Sequence, residues 1–248
     1  RINKDLERKR HSLSHILAEA VKRMYPDAKL GIGPSIDNGF YYDFDLKETL
    51  SSKDLTRIEK EMRKIIKRNS KFIHQKVTSA EAKKLFVKRG ETYKLELIEE
   101  LEGSKESISL YYSGDDGWFD LCKGSHVRQP SQINMDGLRL DKVSGAYWKG
   151  DENNKMMQRV YGLYFDQREK LEVYLKRREE ARKSDHRKLG KELGIYLISD
   201  MVGKGLPMLL PKGAALRRIL EQWTIEEELK RGYLHVYTPA ISKLGLFE

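Results

Sequence analysis

A single cysteine in 248 residues excludes a disulfide-built scaffold. No stretch approaches the roughly 18–20 consecutive apolar residues that a membrane helix needs. The basic start, Arg1 to Arg10, is not followed by an apolar segment, so no secretory signal peptide is expected. Internal repeats and low-complexity tracts are absent as well. A reducing, cytoplasmic setting is therefore the expectation. Position 1 is Arg rather than Met, as in a chain trimmed at its start. What is abundant is charge: 35% of residues are charged and 39% are hydrophobic, with three Trp and thirteen Tyr. That balance fits a folded, soluble chain rather than a disordered one. Lys and Arg number 48 against 38 Asp and Glu, and the net charge of +10 points to a polyanionic partner.

Residues 4–24 carry Leu6, Leu13, Ile16, Leu17, Ala20, Val21 and Met24 at helical spacing. Asn38-Gly39 signals a hairpin turn leading into a strand at 40–45. Residues 53–69 read as a second helix and 71–77 as a strand. Thr78 followed by Glu81 resembles a capping box ahead of a helix that ends near Arg89. Strands are expected around 93–97, 107–112, 117–122 and 138–148. Helices and short strands thus mix without regular βαβ repetition, an α+β pattern.

From Tyr164 the character changes. Residues 166–183 form a very basic helix laced with Glu, read either as a solvated linker or as a strut beside a polyanion. A helix at 213–231 and a strand-like segment at 232–241 follow. The expected organisation is a first domain at 1–163, a linker helix at 164–188 and a second region at 189–248.

The chemistry concentrates in two short motifs. His11 and His15, four residues apart on one helix, share a face and can converge on one atom. Asp120-Leu-Cys122-Lys-Gly-Ser-His126 places Cys and His in a Gly-containing loop at a strand end. His11, His15, Cys122 and His126 would make a plausible tetrahedral zinc set. They could equally form an acid/base site without metal. A zinc protease helix needs His-Glu-x-x-His, and position 12 is Ser. A zinc deaminase needs Cys-x-x-Cys and a Glu two residues after its His, and both are missing. A Cys nucleophile next to a His stays permitted, with nothing else in support. These two motifs hold four of the five Cys and His residues of the first domain, which favours function over chance. The fifth, His74, reads as incidental, as do His186 and His235 beyond it.

Several stretches resemble the threonyl-tRNA synthetase family. They are Arg10-His-Ser-Leu-Ser-His15, Ile32 through Asp43, Arg89-Gly-Glu-Thr-Tyr-Lys94, Asp120 through Val127 and, most specific, Gly145 through Gly162. Asp185 through Leu193 looks like the family's entry into its class II catalytic domain. Arg231-Gly-Tyr-x-x-Val-x-Thr-Pro239 is similar to class II motif 1. The family usually has Arg where Lys123 stands and Pro where Ser125 stands.

The resemblance implies an editing domain over 1–163 and the beginning of an antiparallel-sheet catalytic domain over 189–248. It implies hydrolysis of seryl-tRNA-Thr as the reaction, with tRNA-Thr as partner. His11 and Lys94 would position and polarise water or stabilise the oxyanion. His15, Cys122 and His126 would line the seryl pocket, Asp120 would meet the substrate ammonium, and Tyr42 would contact the terminal adenosine. No metal is expected at this site; were one bound, His11, His15, Cys122 and His126 would be its ligands. The family's threonine-activating machinery, with ATP, Mg and zinc, and its homodimer belong to the full-length enzyme and lie past Glu248. Two other readings stand beside this one: a freestanding trans-editing deacylase and a non-catalytic tRNA-binding paralogue.

Overall fold

Helix α1 (Lys4–Met24) buries every residue from Ser12 to Val21, polar ones included. A helix buried all round must sit at the centre of its domain rather than on its surface. The computed structural model describes residues 4–113 and 117–246. The chain divides into two compact units, one reaching Lys176 and one starting at Arg177.

In the first unit α1 is followed by β1 (Lys29–Leu30), β2 (Ser35–Ile36), β3 (Gly39–Asp45) and α2 (Ser52–Arg68). Then come β4 (Phe72–Val77), α3 (Ser79–Arg89), α4 (Thr92–Gly103), β5 (Ile108–Ser113) and β6 (Trp118–Leu121). β7 (Leu138–Tyr147), β8 (Met156–Tyr164) and α5 (Arg168–Lys183) complete the unit, whose boundary falls inside α5. Two antiparallel sheets result. The larger runs β1-β3-β8-β7, with β2 also paired to β3; the smaller runs β4-β5-β6.

Each sheet has its own helices. Leu13, Ile16 and Leu17 of α1 and Ile58, Met62 and Ile65 of α2 pack with Phe40, Tyr42 and Phe44 of β3 and Val160 of β8. Ala82 and Phe86 of α3 and Ile98 of α4 pack on Ile108, Leu110 and Phe119 of the small sheet. The α+β expectation is met, in two helix-on-sheet layers.

Local chemistry explains most boundaries. Thr78 and Glu81 bond reciprocally at the start of α3, the expected capping box. Gly90, at φ +65°, ends that helix in the left-handed conformation that glycine adopts without cost. The hairpin turn sits one residue earlier than expected: Ile36 faces Gly39, so Asp37 and Asn38 form it, with Asn38 at φ +66°.

Three expectations need correction. The strand expected at 93–97 is helix α4. Tyr93, Leu95 and Leu97 alternate like a strand, but Ile98 and Leu101 continue the apolar pattern at helical spacing. A central strand, β8, lies at 156–164 where none was expected. Its polar Gln158 and Arg159 and its Gly162 hide the pattern. Gly162 is required because a Cβ there would strike the Phe40 ring of the neighbouring strand.

The third correction falls in the second unit, which holds α6 (His186–Glu192), the antiparallel pair β9 (Tyr196–Leu197) and β10 (Met208–Leu209), and α7 (Pro211–Lys230). The segment 232–241 forms no strand: among the described residues nothing pairs with it, and Leu234, Val236 and Tyr237 stand open to solvent. The basic helix is present as α5. Its exposed ion pairs, Arg168–Glu172 at 2.7 Å and Lys170–Asp166 at 2.9 Å, are the solvated kind worth little to stability. Among the described residues no helix is long and apolar enough to cross a membrane.

Candidate functional site

The two motifs, more than a hundred residues apart in sequence, meet in the first unit. His11 and His15 project from the same face of α1, with their Nε2 atoms 3.3 Å apart. Cys122 follows the last residue of β6. It is pinned by its N–H to the Ser109 carbonyl at 3.1 Å and by the Ser109 hydroxyl to its own carbonyl at 2.8 Å. Its Sγ lies 3.4 Å from His11 Nε2 and 3.3 Å from His126 Nε2.

Gly124 donates its N–H to that sulfur at 3.2 Å. Its φ of +87° favours glycine, and a Cβ there would strike the Tyr111 hydroxyl. The Gly124–Ser125 peptide is cis. His126 stacks on Phe72 and on His11, at centroid distances of 5.3 and 4.4 Å.

Four donors, one from each of His11, His15, Cys122 and His126, therefore lie within 4.8 Å of one another. Three of their six separations, His11–His15, His11–Cys122 and Cys122–His126, are 3.3–3.4 Å, the spacing of neighbouring ligands on a tetrahedral ion whose bonds are about 2.0–2.3 Å long. The residues present thus fit a zinc-sized cation.

Behind the cluster lies a closed charge network. Asp120, the last but one residue of β6, is fully buried. Its Oδ1 takes the Lys94 ammonium at 2.6 Å and the Leu121 N–H at 2.8 Å. Its Oδ2 takes the Tyr42 hydroxyl at 2.5 Å and His15 Nδ1 at 2.9 Å. Lys94 also donates to the Tyr42 oxygen at 2.9 Å.

Burial alone would push the Asp120 carboxyl up. The Lys94 ammonium and His15 outweigh it and hold the group well below the usual carboxylate range. Burial would likewise lower His15, yet Asp120 and Cys122 raise it to about 9. Cys122, which burial would raise, is drawn down to about 3 by its contacts with His11 and His126 and by His15. Burial takes His126 down to about 4, against its bond to Cys122. Such perturbed groups in one place mark a functional site better than they mark a scaffold.

The expected site residues separate into two shells. His11, Cys122 and His126 are partly open to solvent. His11 lines a cleft of about 240 Å³ with Lys4, Glu7, Arg8, Ser35, Gly124 and Ser125. Lys94, Asp120 and Tyr42 are closed off, at 2%, 0% and 0% exposure. Asp120, expected to meet a substrate ammonium, has both its oxygens engaged inside the protein. Tyr42, expected to contact the terminal adenosine, is fully buried, with its ring packed against Phe44 at 5.0 Å. Lys94 is likewise buried, against Asp120 and Tyr42. His74 lies on β4 against Tyr111, 4.8 Å between centroids, outside the four-donor set.

Sequence reasoning missed Ser12, whose hydroxyl reaches His126, and the aromatic wall of Phe72 and Tyr111. Only the position of Ser12 inside the His-x-x-x-His turn signalled any of these.

A domain that brings three imidazoles and a thiol together beside a cleft has the donor set of an acid/base or metal-binding site. Comparison with known proteins makes this specific. Residues 108–161, which span β5, β6, the Cys122 loop, β7 and most of β8, match the family of the threonyl and alanyl tRNA synthetase second additional domain. The chain is 49% identical over 240 residues to the threonine–tRNA ligase of Geobacillus sp. (strain WCH70), covering 96% of this chain and 36% of that protein. It is 49% identical over 243 residues to the threonine–tRNA ligase of Thermosynechococcus vestitus, covering 98% and 40%. Against threonine–tRNA ligase 1 of Bacillus subtilis the identity is 47% over 240 residues, covering 96% and 36%. Over nearly its whole length the chain is thus similar to part of these threonine–tRNA ligases. The chain spans well under half the length of the curated relatives it matches.

Proposed function

We propose that this chain hydrolyses seryl-tRNA-Thr, acting as the editing part of a threonyl-tRNA synthetase. The observation that carries the reading is the convergence of His11, His15, Cys122 and His126 beside a cleft that leaves His11 accessible. A synthetase for threonine must reject serine, which is one methyl smaller, and such a difference is worth only about 1–3 kcal/mol in a binding pocket. A second, hydrolytic site is the physical remedy: it admits serine and excludes the extra methyl.

The reaction is acyl transfer from the 3′-terminal ribose oxygen to water. His11, the accessible imidazole, orients and deprotonates the attacking water and returns that proton to the departing ribose oxygen as the acyl–oxygen bond breaks. His15, held by Asp120, and the Cys122 sulfur line the pocket, and His126 closes it. Lys94 and Tyr42 act through Asp120, whose charge they hold in place for His15. Lys4 and Arg8, on the rim of the cleft, face the tRNA backbone.

The residues 1–163 form the editing domain in this reading, 164–188 a linker helix, and 189–248 the start of a class II catalytic domain. Threonine activation, with ATP, Mg, zinc and the homodimer, belongs to the longer protein that the relatives represent. The cytoplasm is the setting.

Hydrolysis in this reading needs no metal. A second, metal-loaded reading is favoured by one observation, the gathering of four ligand-type donors within 4.8 Å of one another. A zinc ion held there would supply Lewis acidity or a rigid structural tie. Four protein ligands would close it, leaving no position for water. Metal analysis of the purified chain separates the two. No stoichiometric metal is expected, and one zinc lost in Cys122→Ala favours the second.

The reading itself is tested by incubating the chain with seryl- and threonyl-tRNA-Thr and following loss of each ester. Selective loss of the seryl ester is expected. Tight tRNA binding with no hydrolysis overturns it in favour of a non-catalytic binding module.

A further inference from the structure

Ser12 lies between the two histidines of α1 and is fully buried. Its hydroxyl has three partners: the Arg8 carbonyl at 2.9 Å, the Val127 N–H at 2.9 Å and His126 Nδ1 at 3.1 Å. A hydroxyl has one proton to give and two lone pairs to receive with. The Arg8 carbonyl can only accept, so it takes the proton. The Val127 N–H can only donate, so it fills one lone pair. The remaining lone pair faces His126 Nδ1, which must then carry a hydrogen to complete the bond.

In a neutral imidazole a hydrogen on Nδ1 leaves Nε2 bare. His126 Nε2 is the atom 3.3 Å from Cys122 Sγ, facing into the four-donor cluster. We propose that Ser12 is a positioning residue that fixes His126 as its Nδ1–H tautomer, so that the Nε2 lone pair is presented to the reacting centre. This rests on the editing reading for its consequence in turnover, though the tautomer itself does not.

The geometry gives Ser12 a second task in the same bond set. The Val127 N–H ties the chain just after His126 to α1, so one hydroxyl sets both where the ring sits and which nitrogen is bare. Behind His15 the Asp120 carboxylate plays the holding part, with Oδ2 2.9 Å from His15 Nδ1. The two rings are thus held from behind by a hydroxyl and a carboxylate, with both Nε2 atoms turned toward the cluster. Whichever group the site engages, a water or a cation, it meets a lone pair on His126 rather than a hydrogen.

The test is ¹⁵N NMR of the full chain labelled at its histidines, with the His126 signals assigned by His126→Gln. The wild type is expected to show the proton on Nδ1. A proton on Nε2 overturns the proposal without any variant of Ser12. In Ser12→Ala the Nδ1 preference should fall. The single-turnover rate of seryl ester loss should drop about tenfold, with tRNA affinity unchanged within twofold. Ser12→Thr, which keeps the hydroxyl, should restore both. An unaltered tautomer and rate in a folded Ser12→Ala chain overturn the assignment. If the wild type shows the Nδ1 proton but hydrolyses no ester, the editing reading fails and the tautomer assignment survives.

Discussion

The two units of this chain use their apolar residues in opposite ways. In the first, Leu17 of α1 is 0% exposed and sits among the side chains of two helices and a five-stranded sheet. In the second, Leu220 and Trp223 of α7 are each 60% exposed, and Gly213 is the helix's one buried residue. A buried polar cluster needs the first kind of surroundings. Asp120 can hold Lys94, Tyr42 and His15 in a fixed arrangement only where packing keeps water out and side chains cannot drift. The difference teaches that the site's precision rests on a closely packed core of the kind the first unit has.

That contrast can be broken by mutation. The largest effect should come from Asp120→Ala. It strands the Lys94 ammonium, which is 2% exposed, without its partner. Removing one side of a buried pair costs about 3–5 kcal/mol. Denaturant unfolding should show that loss, together with loss of ester hydrolysis. Leu17→Ala should follow, at about 2–5 kcal/mol from lost burial and the cavity left behind. Thr78→Ala removes the cap of α3, and a cost of about 1 kcal/mol is expected in the same unfolding measurement. Smallest should be Leu220→Ala, within about 0.5 kcal/mol, because the side chain is already mostly in water. If Leu220→Ala destabilised the chain as much as Leu17→Ala, the comparison would fail.

Legibility followed the same division. α1, α2, α3 and β4 were readable because their apolar spacing and caps are local signals. The His11–His15 pair was readable for the same reason, as four residues on a helix share a face. α4 was misread because Tyr93, Leu95 and Leu97 alternate while packing in different directions. β8 was missed because Arg159 is spent on Asp43 in a two-point pair at 2.7 and 2.8 Å, which makes a central strand look polar. The inward turn of Tyr42, Lys94 and Asp120 was invisible in sequence. Each looks like a ligand-facing polar residue until its partners, 26 to 78 positions away, are brought beside it. Segment 232–241 shows the reverse case, in which a strand-like pattern has no neighbour to bond to.

The most direct test of the central claim is the rate of seryl-tRNA-Thr hydrolysis by the chain and by His11→Ala, measured side by side. If the convergence of His11, His15, Cys122 and His126 is the working site, the variant should stay folded and lose about 10²–10⁴-fold in rate, the scale of one general base. An unchanged rate in His11→Ala would contradict the account.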